Sequence, residues 1–326
     1  MPLRPSIVIP TKDRHITLER LLESILNQKL KPNEAIIVDD KSRTLETYSI
    51  YLKYLKKFNK IGIKLIYIRN ERGKGSSAAR NIGISYCKSE IIFFIDDDIY
   101  LDKIFVQKMT NYLNLNDKLL AVTGRVVNFR KSGIIYLFIA NIFFLTHSIK
   151  NKNKILPFGI ITARSDSDKN FICGYIDSGV CAIKRKVFSN LGFKFDENLK
   201  NYSYREETIL SYQLNLRFPN SMMFVHEAKA LHFRHSSLNI KKIKTIILNQ
   251  YYFYFKYFNR SLMSDFIFFW SNLGFILFRA IYFIYSPVKE NFNILNKSIL
   301  YTIQAIKILH VIKKEQERNY NKFLYI

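Results

Sequence analysis

The stretch Ile91-Ile92-Phe93-Phe94-Ile95-Asp96-Asp97-Asp98 decides how the rest of the chain reads. Five apolar residues in a row, with no polar alternation, describe a strand buried on both faces. Such strands belong to parallel sheets covered by helices. Three consecutive carboxylates at the strand's end repel one another, and a cation among them relieves that cost. The alternative is an acidic turn that caps a following helix.

Working back towards the N-terminus, the same grammar repeats. Lys64-Leu65-Ile66-Tyr67-Ile68 is a strand, Ala35-Ile36-Ile37-Val38 is another, and Ser6-Ile7-Val8-Ile9-Pro10 opens the series. Leu18, Leu21, Leu22 and Ile25 recur at helical spacing between the first two. Ser76 is the expected N-cap of a helix running to about Tyr86. Continuous apolar strands separated by helices predict an α/β fold, a parallel sheet covered by helices on both faces. Ligands of such sheets bind beyond the carboxyl ends of the strands. Asp39, Asp40, Asp96, Asp97 and Asp98 therefore belong on one rim.

Asp39-Asp40 reads either as a pair accepting from a base N–H or a ribose hydroxyl, or as a helix N-cap. Gly73-Lys74-Gly75-Ser76-Ser77-Ala78-Ala79-Arg80 brings backbone N–H groups and a guanidinium to a helix start. That suits a phosphate, or it is an ordinary surface turn. The P-loop spacing is absent. Downstream, Glu206 to Arg217 reads as a helix stopped by Pro219, and Ala228 to Phe233 as a strand. Glu206-Glu207 is a candidate general base, or a favourable charge at a helix N-terminus. His232 and His235 are metal or phosphate ligands, or structural histidines.

The chain has 326 residues, and 51 Lys and Arg against 26 Asp and Glu give a net charge of +25. Its 48% hydrophobic content excludes a disordered chain. Cys87, Cys173 and Cys181 are too few for a disulfide scaffold and lack the spacing of a zinc site, so reduced thiols facing the cytosol are expected. No apolar stretch follows the first residues as in a secretory signal peptide. The positive charge is dispersed, which argues against nucleic acid and leaves an anionic membrane or a compositional habit.

Phe266–Ile284 is apolar except for Ser271, Asn272 and Arg279, and is just long enough to cross a bilayer. Basic residues flank it on both sides, and Arg279 near a bilayer centre would cost about 2.5–3.5 kcal/mol. A helix pair lying in the interface, or a re-entrant hairpin, keeps all the charge on the cytoplasmic side and is the expected arrangement. Residues 133–147 are apolar too, but short for a span.

Taken in order, SIVIPTKDR, IIVDDKS, RGKGSSAARNIG, FFIDDDI, SGVCAIKRKVFSNLGFKFDENL, YREETIL and ALHF resemble the family 2 glycosyltransferases of the GT-A fold across roughly residues 5–235. The resemblance implies a GT-A-type, Rossmann-like mixed sheet with helices on both faces, and inverting transfer of a sugar from a nucleotide-diphosphate sugar to a glycan or lipid-linked acceptor. It implies that Pro10 and Thr11 line the nucleotide, that Asp40 with Asp39 reads the base, and that Arg80 supports the nucleotide or diphosphate. Asp96 and Asp98, with Asp97 between them, match the DxD motif that contacts ribose and a Mn²⁺ or Mg²⁺ ion. Glu207 matches the acidic residue proposed as base, with Glu206 beside it, and His232 matches a histidine near the diphosphate. Ile209 departs from the pattern, standing where the family often has an acidic residue, and leaves the choice between the two glutamates open.

The expected division is a nucleotide-sugar half over 1–125, an acceptor half with the base over 126–238, and a helical, membrane-associated region over 239–326. Competing readings are a metal-dependent nucleotidyltransferase and a basic nucleic-acid-binding protein.

Overall fold

The structure is a computed structural model that describes residues 4–128, 138, 140–145, 155–156, 167–199, 204–233 and 240–315. Most of the apolar 133–147 stretch and His235 lie outside these residues.

Four strands run parallel in the order β3-β2-β1-β4: β1 (Ser6–Thr11), β2 (Glu34–Asp39), β3 (Lys64–Arg69) and β4 (Ile91–Ile95). Alternate residues of each strand feed opposite cores. Ile7, Ile9, Ala35, Ile37, Phe93 and Ile95 pack with α1 (His15–Leu26), α2 (Glu46–Lys60) and α4 (Phe105–Leu115). Val8, Ile36, Val38, Ile92 and Phe94 face the side carrying α3 (Ser76–Tyr86), α5 (Lys186–Ser189) and α6 (Glu206–Arg217). β1, β2 and β4 are buried throughout, which is why they read as apolar runs, while β3 at the edge is half-buried.

The parallel order ends at β4. There β8 (Val180–Lys184) pairs antiparallel with β4 and with β6 (Ala121–Val126). The sheet continues through β9 (Met222–His232), which runs parallel to β6, to β5 (Ile99–Leu101) at the edge. The short β7 (Phe171–Cys173) also pairs with β9. The result is a mixed sheet. β9 begins six residues before the expected Ala228 because its first half is held by β6 and β7.

Helix α3 lies unusually close to β1. A Cβ on Gly83 would sit 2.3 Å from Val8 Cγ1, so only glycine permits this approach. The helix is capped by Gly75, at φ 90°, rather than by the expected Ser76. The Ser76 hydroxyl is engaged elsewhere, donating to Glu206 Oε1 at 2.8 Å.

Three C-terminal helices, α7 (Ile240–Lys256), α8 (Leu262–Tyr285) and α9 (Lys289–Glu315), share a separate core of aromatic and aliphatic side chains that includes Tyr251, Tyr254, Phe268 and Ile294. Tyr254 and Phe268 stack with centroids 4.0 Å apart. Phe143, from the apolar stretch before β7, nests against Gly274 of α8. Helix α8 extends beyond the expected Phe266–Ile284 at both ends and is long and apolar enough to cross a membrane. Much of its surface is open, including Phe266 (59% exposed) and Ile284 (73%). Cys87, Cys173 and Cys181 are buried, unbridged thiols.

Candidate active site

The carboxyl ends of β1, β2 and β4 meet the N-terminus of α6 across a cleft of about 470 Å³. Its lining includes Pro10, Thr11, Asp40, Arg80, Asp96, Asp97, Glu206, Glu207 and His232. A volume of this order suits a small organic ligand.

On the β2 side, Asp39 and Asp40 do different work. Asp39 is fully buried, accepts from the Tyr67 hydroxyl at 2.7 Å and from the Ser42 N–H at 2.8 Å, and so braces the strand end. Asp40 reaches the cleft. It accepts from Asn70 Nδ2 at 2.7 Å and from the Gly75 N–H at 2.9 Å, tying β2 to the start of α3. Lys12 Nζ lies 3.8 Å from it.

The three aspartates after β4 diverge. Asp96 turns to Arg80, whose Nη2 donates at 2.6 Å. Burial pushes its carboxyl up to about 6, against the pull of Arg80. Asp97 accepts from Thr11 Oγ1 at 2.7 Å and Arg14 Nη1 at 3.0 Å, and burial pushes it up to about 7. Asp98 accepts from Arg14 at 2.8 Å, and its buried Oδ1 faces His232 Nε2 at 3.2 Å. Burial raises the Asp98 carboxyl, but His232 and Arg14 outweigh it and hold the group below its ordinary range. His232 arrives here because β9 pairs it opposite Ile99, the residue after Asp98.

Asp98 and His232 fit a divalent cation. Ligand atoms about 2.1 Å from one ion, at right angles, sit about 3 Å apart, and such ions combine one or two carboxylates with substrate phosphates. Among the described residues no three His, Cys, Asp or Glu side chains form a cluster that could hold a metal ion. Asp96, expected to share the ion, is paired with Arg80.

Helix α6 supplies the opposite wall. Leu210 and Leu214 anchor it in the core, and Ser211 Oγ accepts from the Ile176 N–H at 3.1 Å. Glu206 is buried, and its carboxylate accepts from Ser76, from Ser77 Oγ at 2.7 Å and from Arg80 Nη1. Glu207 faces the cleft. Burial and the neighbouring Glu206 push its carboxyl up to about 7, the range of a general base working near neutrality. The two glutamates thus differ in surroundings: Glu206 is held in a network of hydrogen bonds, and Glu207 lines the cleft with a raised pKa. Arg80, expected to meet a nucleotide or diphosphate, is 1% exposed and clasps Glu206 and Asp96 together.

Arg14, Tyr175, Asp177 and Tyr204 line the cleft and were not among the expected site residues. Asp177 stands in the turn before β8 and accepts from the Gly179 N–H at 2.9 Å. A lone carboxylate ahead of a Ser-Gly turn was its only signal in the sequence. For Arg14 the signal was its place at the end of SIVIPTKDR.

Comparison with known proteins finds glycosyltransferases among its matches. A segment is 32% identical over 110 residues to the poly(ribitol-phosphate) β-N-acetylglucosaminyltransferase TarP of Staphylococcus aureus, covering 33% of this chain and 32% of that protein. Another match, 32% identical over 94 residues, is to the GalNAc(5)-diNAcBac-PP-undecaprenol β-1,3-glucosyltransferase of Campylobacter jejuni, covering 28% of this chain and 29% of that protein. The matched segments thus span about a third of each relative. The structure of S. aureus TarS 1–349 in complex with UDP-GlcNAc superposes with a TM-score of 0.55 at 15% identity, over 93% of this chain and 81% of that one. That likeness concerns the fold. The family model described as glycosyl transferase family 2 matches residues 6–192, more than half of the chain and the whole of the sheet's parallel half with β8, and the protein therefore belongs to glycosyl transferase family 2.

Proposed function

We propose that the cleft transfers a sugar from a nucleoside-diphosphate sugar to an acceptor hydroxyl with inversion at the anomeric carbon. The observation that carries this reading is the opposition of two walls. Asp40, Asp96, Asp97 and His232 line the cleft from the strand rim, with Asp98 behind them against His232, and Glu207 lines it from α6. Donor and acceptor groups on opposite walls are what a direct displacement requires.

In this reading Asp40 and the Pro10–Thr11 backbone line the nucleoside, while Asp96 faces the ribose. Asp98 and His232 would hold Mn²⁺ or Mg²⁺, which when bound supplies charge stabilisation to the leaving diphosphate. Glu207 takes the acceptor proton as the acceptor oxygen attacks the face opposite the leaving group. Arg80 keeps Glu206 and Asp96 in place, so the base and the donor wall share one rigid link. Family membership favours sugar transfer over the nucleotidyltransferase and nucleic-acid readings.

The acceptor is assigned to a glycan or a lipid-linked glycan, and the protein to the cytoplasmic face of a membrane. Support comes from the open apolar face of α8 and from the undecaprenol in the name of the Campylobacter relative. A contiguous exposed apolar surface of this kind marks an interaction site. Flotation with anionic liposomes tests the placement: a protein that stays in the dense fraction refutes it.

The first experiment on function is the thermal midpoint with UDP, GDP, dTDP and CDP, each with and without Mn²⁺. A ligand of the folded state raises the midpoint by mass action. A shift with one diphosphate that requires the metal supports the reading and names the base. No shift with any of the four, in the presence of liposomes, counts against it.

A further inference from the structure

Helix α7 reaches back from the C-terminal bundle to the turn that launches α6. Arg205, the residue before Glu206, has φ 84°, a conformation that L side chains adopt at a cost and hold only when their surroundings impose it. The surroundings here come from α7. Asn249 Nδ2 donates to the Tyr204 carbonyl at 3.0 Å, and Gln250 Oε1 accepts from Arg205 Nη2 at 3.4 Å. Both amides are buried, as is Arg205. One turn into α6, Ile209 is packed against Tyr252 and Phe253 of the same helix. This is the position where the chain departs from the acidic residue of the resemblance, and an apolar side chain there is what lets α6 dock on α7.

A second strut runs in parallel. Asp196 accepts from the Tyr252 hydroxyl at 2.8 Å and the Tyr257 hydroxyl at 2.5 Å, with Lys256 Nζ at 3.5 Å. Its neighbour Glu197 accepts from Asn81 of α3 at 3.1 Å. Helix α7 is thus fastened on both sides of the α6 start.

We propose that Asn249 and Gln250 are positioning residues for the reaction, holding the Tyr204–Arg205 turn and through it the Glu207 carboxylate. This rests on the assignment of Glu207 as the base. The C-terminal bundle then does more than offer an apolar face: one of its helices sets the geometry of the proposed catalytic group. The charged and titratable groups around Glu207 are Glu206 and Arg205 beside it in the chain, Arg80 from α3, and Asp177 and Tyr175 from the turn before β8. Of these, Arg205 pulls the Glu207 carboxyl down, against burial and the other carboxylates.

The test uses the full chain. Difference infrared titration, with the Glu207 band assigned by Glu207→Gln, is compared for wild type, Gln250→Leu, Asn249→Leu and Gln250→Glu. Release of UDP from UDP-N-acetylglucosamine is followed in parallel. Releasing Arg205 is expected to raise the Glu207 titration by about one pH unit, a tenfold change in its proton affinity. The acidic limb of UDP release should move with it, kcat should fall about tenfold, and KM for the donor should stay put. Gln250→Glu keeps an acceptor for Arg205 and should hold thermal stability, but its carboxylate offsets the guanidinium and should raise the Glu207 titration as Gln250→Leu does. Phe253→Leu loosens the same interface without touching the amides and should lower only thermal stability. Wild-type titration and kcat in both leucine variants overturn the proposal. So does a titration shift in Phe253→Leu as large as that in Gln250→Leu. A wild-type protein that releases no nucleoside diphosphate from UDP-, GDP-, dTDP- or CDP-sugars, but whose Glu207 titration still moves in Gln250→Leu, sinks the assignment of the reaction and leaves the positioning intact.

Discussion

Arg80 donates to Asp96 at 2.6 Å from a guanidinium that is itself 1% exposed. Its other arm reaches Glu206 on a different helix. One buried cation therefore joins the rim of the sheet to the start of α6.

Replacing Arg80 by Met should leave Glu206 as a buried carboxylate without its cation. Removing one partner of a buried ion pair costs about 3–5 kcal/mol. Urea unfolding should show that loss, and Arg80→Lys should recover only part of it, because an ammonium lacks the fork that serves both carboxylates.

Glu207→Gln should lower the transfer rate by about 100- to 10,000-fold, the usual contribution of a general base. It should also change stability in a pH-dependent way. The folded-state pKa is raised to about 7, so between pH 4.5 and 7 the folded protein keeps a proton that the unfolded chain releases. Stability attributable to this group is present at low pH and is lost as pH rises through that window. Glu207→Gln removes the loss, so the variant should match wild type near pH 4.5 and exceed it by about 1–3 kcal/mol at pH 8. Denaturation at the two pH values checks it.

His232→Gln should abolish the metal-dependent part of any nucleoside-diphosphate stabilisation while leaving the metal-independent part. Asp98 faces His232 at 3.2 Å, so Asp98→Ala should do the same. Thermal midpoints with UDP, with and without Mn²⁺, separate the two components. A variant that retains the full metal increment rules these residues out as ligands.

Gly83→Ala should destabilise the fold by about 1–3 kcal/mol through overpacking. The added methyl meets Val8 Cγ1 at 2.3 Å and Cγ2 at 2.9 Å. Combining it with Val8→Ala should recover part of the loss, which a thermal-melt comparison of the three variants would register.

Much of the frame was legible in the chain. The runs at 6–10, 35–38, 64–68 and 91–95 fall in β1 to β4; β1, β2 and β4 are buried on both faces and so read as mainly apolar, while β3 at the sheet edge is only half-buried. The aspartates at the ends of β2 and β4 fall on one rim for the same reason: parallel strands share an end. The apolar character of α8 was legible too, since length and composition alone define it.

Tertiary structure decided the rest. The insertion of antiparallel β8 beside β4 is a pairing between residues about 90 positions apart, and no local pattern encodes it. Nor does the chain say which of two adjacent glutamates is tethered. That depends on Ser76, Ser77 and Arg80 arriving from α3 some 130 residues earlier and taking up Glu206 while Glu207 faces the cleft. The pairing of Arg80 with carboxylates, and the reach of α7 to Arg205, have the same character. Periodicity reports which face of an element is buried, because burial is a property of one residue and its own strand or helix. Partnership between charged side chains depends on two distant segments at once, and only the packed fold brings them together.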